Sequence, residues 1–202
     1  MKTLELKDGN SLVLVAHPDD ETIWMAGAIL KFQNLKWTIF SLSRSDDMDR
    51  SPKFKKACLY YGARAVISDL EDEGLLNTRE SLPEIEQRIR RELKQKRFTY
   101  IFTHGYNGEY GHPRHKGARQ ALQNLIRRKT IIADEIYNFS YELRAGQKFA
   151  TPRLPADYYL KLPREIFREK KRIIENIYGF KKSSFESRSC SQIETFNLKN
   201  WL

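Results

Sequence analysis

Five consecutive apolar residues, Leu12-Val13-Leu14-Val15-Ala16, run straight into His17-Pro18-Asp19-Asp20-Glu21. Such a run, rich in valine and leucine, reads as a strand covered on both faces. Pro18 has no N–H with which to continue a ladder, so the chain turns there. Asp19 and Asp20 fall where the N-cap and first turn of a following helix belong. One imidazole and three carboxylates are thus held at the carboxyl end of a core strand. Crowded, desolvated carboxylates repel one another unless a cation offsets them, and a divalent metal is the simplest such cation.

Beyond this strand the chain alternates regularly. Glu21 to Phe32 carries Ile23, Trp24, Ala28 and Phe32 at helical spacing, with Gly27 allowing close packing on the sheet. Trp37 to Leu42 reads as a second strand, and a polar loop, Ser43 to Arg50, leads to a helix that starts at Pro52 and stops at Gly62. Ala65 to Ile67 is a third strand and Asp69 to Glu80 an acidic loop. Ser81-Leu82-Pro83-Glu84 has the form of a capping box that opens a third helix. Thr99 to Thr103 is a fourth strand, Pro113 opens another helix, and Ile131 to Phe139 is a fifth strand. A helix is expected from Arg164 to Ile177, while the tail from Lys181 to Leu202 shows no clear pattern. The order β-α-β-α-β-α-β with short connections argues an α/β, Rossmann-like three-layer sandwich. Its sheet is expected to be mainly parallel, in the order 3-2-1-4-5, with helices on both faces, within one domain spanning residues 1–202.

Composition narrows the partners. The net charge is +10 with 36 Lys and Arg, which favours anionic ligands or an acidic surface. Much of that charge lies in Arg79 to Arg97 and Lys161 to Lys182, which read as the outer faces of helices. Peripheral contact with a membrane through these basic helices stays open, and oligomeric state is not legible. No specific nucleic acid is expected, because no helix-turn-helix, ribonucleoprotein or zinc-finger signature occurs. Two cysteines, Cys58 and Cys190, make no disulfide scaffold. With no apolar leader in Met1 to Asn10, the expected location is cytoplasmic.

The chemistry collects in two loops. In the expected strand order, strands one and four are neighbours at a topological switch point, beyond whose carboxyl ends ligands bind. All four histidines fall in the loops after those strands: His17 in one, His104, His112 and His115 in the other. Two imidazoles and one carboxylate leave a metal an open position for water, the mark of a catalytic zinc site. His17, Asp20 and His115 are the ligands this spacing suggests, with Asp19 left over as a base. On spacing alone a second reading stands beside it, in which His17 and Asp19 cap a helix and His112 and His115 are surface residues.

Ala16-His17-Pro18-Asp19-Asp20-Glu21 together with Tyr110-Gly111-His112-Pro113-Arg114-His115 resembles the PIG-L/LmbE-like zinc-dependent N-deacetylases. Both motifs occur in the right order, each after a strand, and the resemblance spans most of the chain. It implies hydrolytic removal of acetyl groups from N-acetylglucosaminyl compounds or related N-acyl sugars. It implies His17, Asp20 and His115 as ligands of Zn2+, with Fe2+ accepted by the same donors, and Asp19 as general base. His112 corresponds to a residue that stabilises the oxyanion or protonates the leaving amine, and Tyr110 to a tyrosine that helps polarise the carbonyl. Arg50, with Ala57 and Gly62 after it, loosely matches a segment whose arginine touches substrate; as a bare surface residue it needs no such role.

Two departures stand out. The family often has aspartate where this chain has Arg114, so His112 is expected to act as a neutral donor. The Ser43 to Asp49 loop is acidic and lacks the glycines common there. The substrate, a small N-acetyl sugar that the basic balance allows to be anionic, is therefore expected to differ from the best-known ones. Two rivals remain: a metal-dependent amidohydrolase acting on a non-sugar amide, and a non-catalytic module that binds polyanions through the basic helices.

Overall fold

The computed structural model describes residues 1–201. Its strands are β1 (Lys2–Thr3), β2 (Asn10–Val15), β3 (Lys36–Ser43), β4 (Arg64–Leu70), β5 (Arg97–Thr103), β6 (Ile132–Phe139), β7 (Tyr141–Glu142), β8 (Thr151–Pro152), β9 (Tyr158–Lys161) and β10 (Ile193–Lys199). The helices are α1 (Asp20–Lys31), α2 (Arg50–Tyr60), α3 (Thr78–Glu92), a single turn α4 (Gly108–Gly111), α5 (Pro113–Arg127), α6 (Arg164–Arg172) and α7 (Phe185–Ser189). A π-helical turn, Ile173–Ile177, continues α6.

The main sheet has eight strands in the order β1-β9-β10-β6-β5-β2-β3-β4. The five expected strands occupy the stretch β4-β3-β2-β5-β6, all parallel and in the expected order. Because β2 is central, its side chains are buried on both faces. Val13 and Val15 join the apolar cluster that includes Ile23, Ile29 and Phe54 from α1 and α2. Leu12 and Leu14 join the opposite one with Ile85, Ile89 and Leu122 from α3 and α5. Each such fully buried side chain contributes about 1.5–3 kcal/mol, which anchors the turn that follows β2.

Three local expectations are corrected. Helix α3 starts at Thr78, not Ser81: Asn77 accepts from the backbone N–H groups of Arg79 and Glu80, and Glu80 accepts from the Asn77 N–H. This box lies ahead of the Ser81–Glu84 one, leaving Pro83 inside the helix. Gly27 packs closely, but not on the sheet; a Cβ there would lie 2.2 Å from the Leu162 side chain. The tail expected to lack a pattern contains α7 and β10, and β10 pairs antiparallel with β6 and β9. Leu202, the last residue of that tail, lies outside the described residues.

The reason the tail hides its strand is chemical. Glu194 occupies an inward position of β10 that an apolar residue would ordinarily hold. Its carboxylate takes Lys170 Nζ of α6 at 2.7 Å, with neither side chain exposed. It also accepts the N–H groups of Gly27 and Ala28 at 2.8 and 2.9 Å, just beyond Met25, where α1 leaves helical geometry. One charged group thereby ties α1, α6 and the sheet together. Among the described residues no helix is long and apolar enough to cross a membrane.

Candidate metal centre

The loops after β2 and β5 meet at the switch point. They are stitched by the backbone N–H of Ala16, which donates to His104 Nε2 at 3.0 Å. That bond decides the His104 tautomer. Its Nε2 lone pair is engaged, so Nδ1 carries the proton and donates to Glu109 Oε2 at 2.8 Å. The same Glu109 oxygen accepts from His115 Nδ1 at 2.5 Å, which leaves His115 Nε2 unprotonated.

That nitrogen faces His17 and Asp20. His115 Nε2 lies 3.3 Å from His17 Nδ1 and 3.4 Å from Asp20 Oδ1, and His17 Nδ1 lies 3.3 Å from Asp20 Oδ2. Donor atoms bonded to one tetrahedral zinc at about 2.0–2.1 Å stand roughly 3.3–3.4 Å apart, so the residues fit such an ion. The far nitrogen of His17, Nε2, meets Asp72 Oδ1 at 2.9 Å, and Arg44 donates to the other Asp72 oxygen at 2.9 Å. Each histidine therefore has a carboxylate behind it, Glu109 for His115 and Asp72 for His17. Such partners fix the tautomer and orientation of a ligating ring. Two wider groupings, His17, His112 and His115, and Asp20, His104 and His115, also bring donor atoms within 4.8 Å. His104 is excluded as a donor by its bond from Ala16.

Asp19 has a backbone φ of 107°, in the left-handed region. Glu21 takes the Asp19 N–H on Oε2, and Tyr178 and Thr22 donate to its Oε1. The Asp19 carbonyl starts α1 by accepting from Thr22 and Ile23, yet its carboxylate makes no capping bond. The carboxylate instead receives Arg50 Nη1 at 2.8 Å. Burial, with Asp20 next to it, pushes the Asp19 carboxyl up, and Arg50 and His17 oppose that rise. Arg50 is no bare surface residue: it is half-buried and its guanidinium lies over the Phe180 ring.

His112 caps α5, its Nδ1 accepting from the Arg114 N–H at 3.3 Å. The ring proton is consequently on Nε2. Burial, then His115 and His17, lower its pKa to about 4, so the ring is neutral near pH 7. Arg114 does not engage the imidazole; it pairs with Glu71. Tyr110 sets its ring edge against His115 at 5.2 Å and against Phe185 at 4.9 Å. A cleft of about 270 Å³ is lined by His17, Asp19, Asp20, Arg50, Tyr110 and His112. His115 is fully buried behind it.

The structure thus brings His17, Asp19, Asp20, Tyr110, His112, His115 and Arg50 to one place. It adds Glu109 and Asp72, which the two motifs do not single out. A signal for Glu109 exists in the sequence: the loop after β5 holds one acid, and a His115 ring facing an ion needs an acceptor on its other nitrogen. The glycines around it serve the protein itself. A Cβ on Gly105 would lie 2.7 Å from the Phe139 carbonyl, while its N–H donates to Glu109.

Comparison with known proteins agrees with this architecture. Residues 12–126 match the PIG-L family, GlcNAc-PI de-N-acetylase, and the chain belongs to that family. An uncharacterized protein of Acanthamoeba polyphaga mimivirus is 24% identical over 151 residues, and the matched region is 66% of this chain and 62% of that protein. Among solved structures, the N,N′-diacetylchitobiose deacetylase of Pyrococcus horikoshii is 13% identical with a TM-score of 0.65, covering 95% of this chain and 84% of that one. A conserved protein of Thermus thermophilus is 17% identical with a TM-score of 0.65, over 92% and 93% of the two chains. The 4-carboxy-2-hydroxymuconate hydratase GalB of Pseudomonas putida shares the fold at 16% identity, a TM-score of 0.59, and 94% and 95% coverage. The fold by itself therefore does not fix the reaction.

Proposed function

We propose that this protein is a metal-dependent hydrolase that removes the acetyl group from an N-acetylglucosaminyl or related N-acyl sugar compound. The observation that carries the reading is the convergence of His17 Nδ1, Asp20 and His115 Nε2 at 3.3–3.4 Å beside the uncapped carboxylate of Asp19. Membership of the de-N-acetylase family and the likeness in fold to a chitobiose deacetylase support the same reading. A divalent ion held by the three residues, zinc or iron(II), supplies Lewis-acid polarisation of a carbonyl and a water whose pKa falls to about 7.

The protein groups do the rest. Asp19, with its pKa raised, accepts a proton from the attacking water. As the amide oxygen gains charge, His112 donates to it through Nε2–H, and the Tyr110 hydroxyl is a second donor from the same cleft wall. Arg50 holds Asp19 in place and keeps it ionised. The proton taken by Asp19 passes to the leaving nitrogen as the C–N bond breaks, releasing acetate and the free amine. A polyanion-binding module would leave this buried cluster without a task.

Amine release from a panel of N-acetylglucosaminides and simple amides tests the reading. Asp19→Asn should lower turnover by about 10²–10⁴-fold while metal content by elemental analysis stays unchanged. His115→Ala should lose the metal. Full turnover by the Asp19 variant would remove Asp19 from this role, and release from simple amides alone would exclude the sugar.

A further inference from the structure

A second recess of about 400 Å³ adjoins the catalytic cleft, the two sharing His112 and Asp72. It lies between the segment before α3 and the start of α5, and its lining includes Leu76, Pro113, Arg114 and Glu73. Its volume falls within the range of about 300–1,000 Å³ found for small-molecule sites. Arg114 is the telling residue. Its side chain is 5% exposed and Nη2 is bonded to Glu71, yet Nη1 is buried with no hydrogen-bond partner. A buried guanidinium donor without an acceptor costs free energy that a ligand oxygen would recover.

The surroundings decide what kind of oxygen. Arg114 is already neutralised by Glu71, and Asp72 and Glu73 also line the recess. An anionic group would meet three carboxylates against one committed arginine. A neutral hydroxyl or ring oxygen meets no such penalty, and its own O–H can donate to Glu73. Leu76 and Pro113 offer apolar surface for the C–H face of a saturated ring. The overall charge of +10 therefore misleads about this part of the molecule.

We propose that the recess is a second substrate subsite, which takes a neutral polyhydroxyl ring attached to the N-acetyl sugar in the catalytic cleft, with Arg114 donating to one of its oxygens. The proposal rests on the deacetylase reading for the occupant of the first cleft, and it makes the substrate a disaccharide-like conjugate.

Calorimetric titration in an Asp19→Asn background, where turnover does not intrude, tests it with three probes: N-acetylglucosamine, N,N′-diacetylchitobiose and N-acetylglucosamine 1-phosphate. The disaccharide should bind at least tenfold more tightly than the monosaccharide. Arg114→Lys keeps a charge opposite Glu71 but removes the Nη1 donor, and should erase that gain while leaving monosaccharide binding within twofold. Leu76→Trp fills the recess without altering Arg114 and should do the same. Equal affinity for the two sugars, a gain that survives both variants, or tighter binding of the phosphate than of the disaccharide would overturn the subsite. Amine release by the unsubstituted enzyme is scored separately. A disaccharide that binds with the expected gain and releases no amine would support the subsite and remove the deacetylase reading instead.

Discussion

Glu109 accepts the Nδ1 proton of His115 at 2.5 Å in a wall where neither side chain is exposed. Its φ of 56° is unusual for a residue other than glycine, and the conformation delivers one carboxylate to two histidines. Glu109→Gln replaces one acceptor oxygen with an N–H2 group that cannot serve them both. Zinc affinity, measured by competition with a chromophoric chelator, should fall about 10–100-fold, with the helical circular dichroism signal unchanged.

Asp72 plays the corresponding part for His17, and here the consequence is a pH dependence. Burial alone would lower the His17 pKa, but the carboxylates of Asp20 and Asp72 outweigh it and raise it to about 10 in the metal-free protein. A base whose folded pKa lies above its unfolded value of 6.5 contributes stability that is complete below 6.5 and is lost as pH climbs through the folded value. The thermal midpoint of metal-free protein should therefore decline from pH 6.5 to 10. Zinc displaces that proton, so titrating the ion at about pH 8 should release about one proton per site, visible as a dependence of the calorimetric heat on the buffer.

Much of this is legible in the residues. The strands of the sheet centre announce themselves because β2, β3 and β5 are buried on both sides and so are almost wholly apolar. The two histidine loops follow from the strand order. Asp72 is not legible, since Asp69, Glu71, Asp72 and Glu73 stand together and nothing in their spacing says which one faces His17. The strand β10 is hidden by Glu194, whose charge is matched by Lys170 on a separate helix.

Arg50 meets Asp19 at 2.8 Å and opposes the rise that burial imposes on the carboxyl. Arg50→Gln removes that opposition, so the Asp19 pKa should climb further. The acidic limb of the pH profile for kcat/KM should move to higher pH, with the loss of rate largest near neutrality and partly recovered in alkaline buffer. A profile that drops uniformly at every pH would instead mean that Arg50 acts on the substrate.

The Lys170–Glu194 pair is remote from the cleft and gives a purely structural test. Lys170→Met leaves a carboxylate buried and uncompensated, for which the usual loss is about 3–5 kcal/mol. Denaturant unfolding should show a lowered midpoint. Because Glu194 also holds the backbone where α1 breaks, Trp24 and its bond to Asp20 at 2.9 Å should loosen with it, read as a shift in tryptophan emission.

The N–H of Ala16 that ends on His104 joins the tips of two adjacent strands. Neither tip can swing outward without breaking that bond and leaving both groups unsolvated. The reactive groups are in effect part of the chassis, so any accommodation to ligands of different shape has to come from the coverings: the segment before α3 on one side and the short helix bearing Phe185 on the other. Variants that change which compounds are accepted should accumulate in those two coverings, and the hinge-free seam between the strand ends should tolerate almost none.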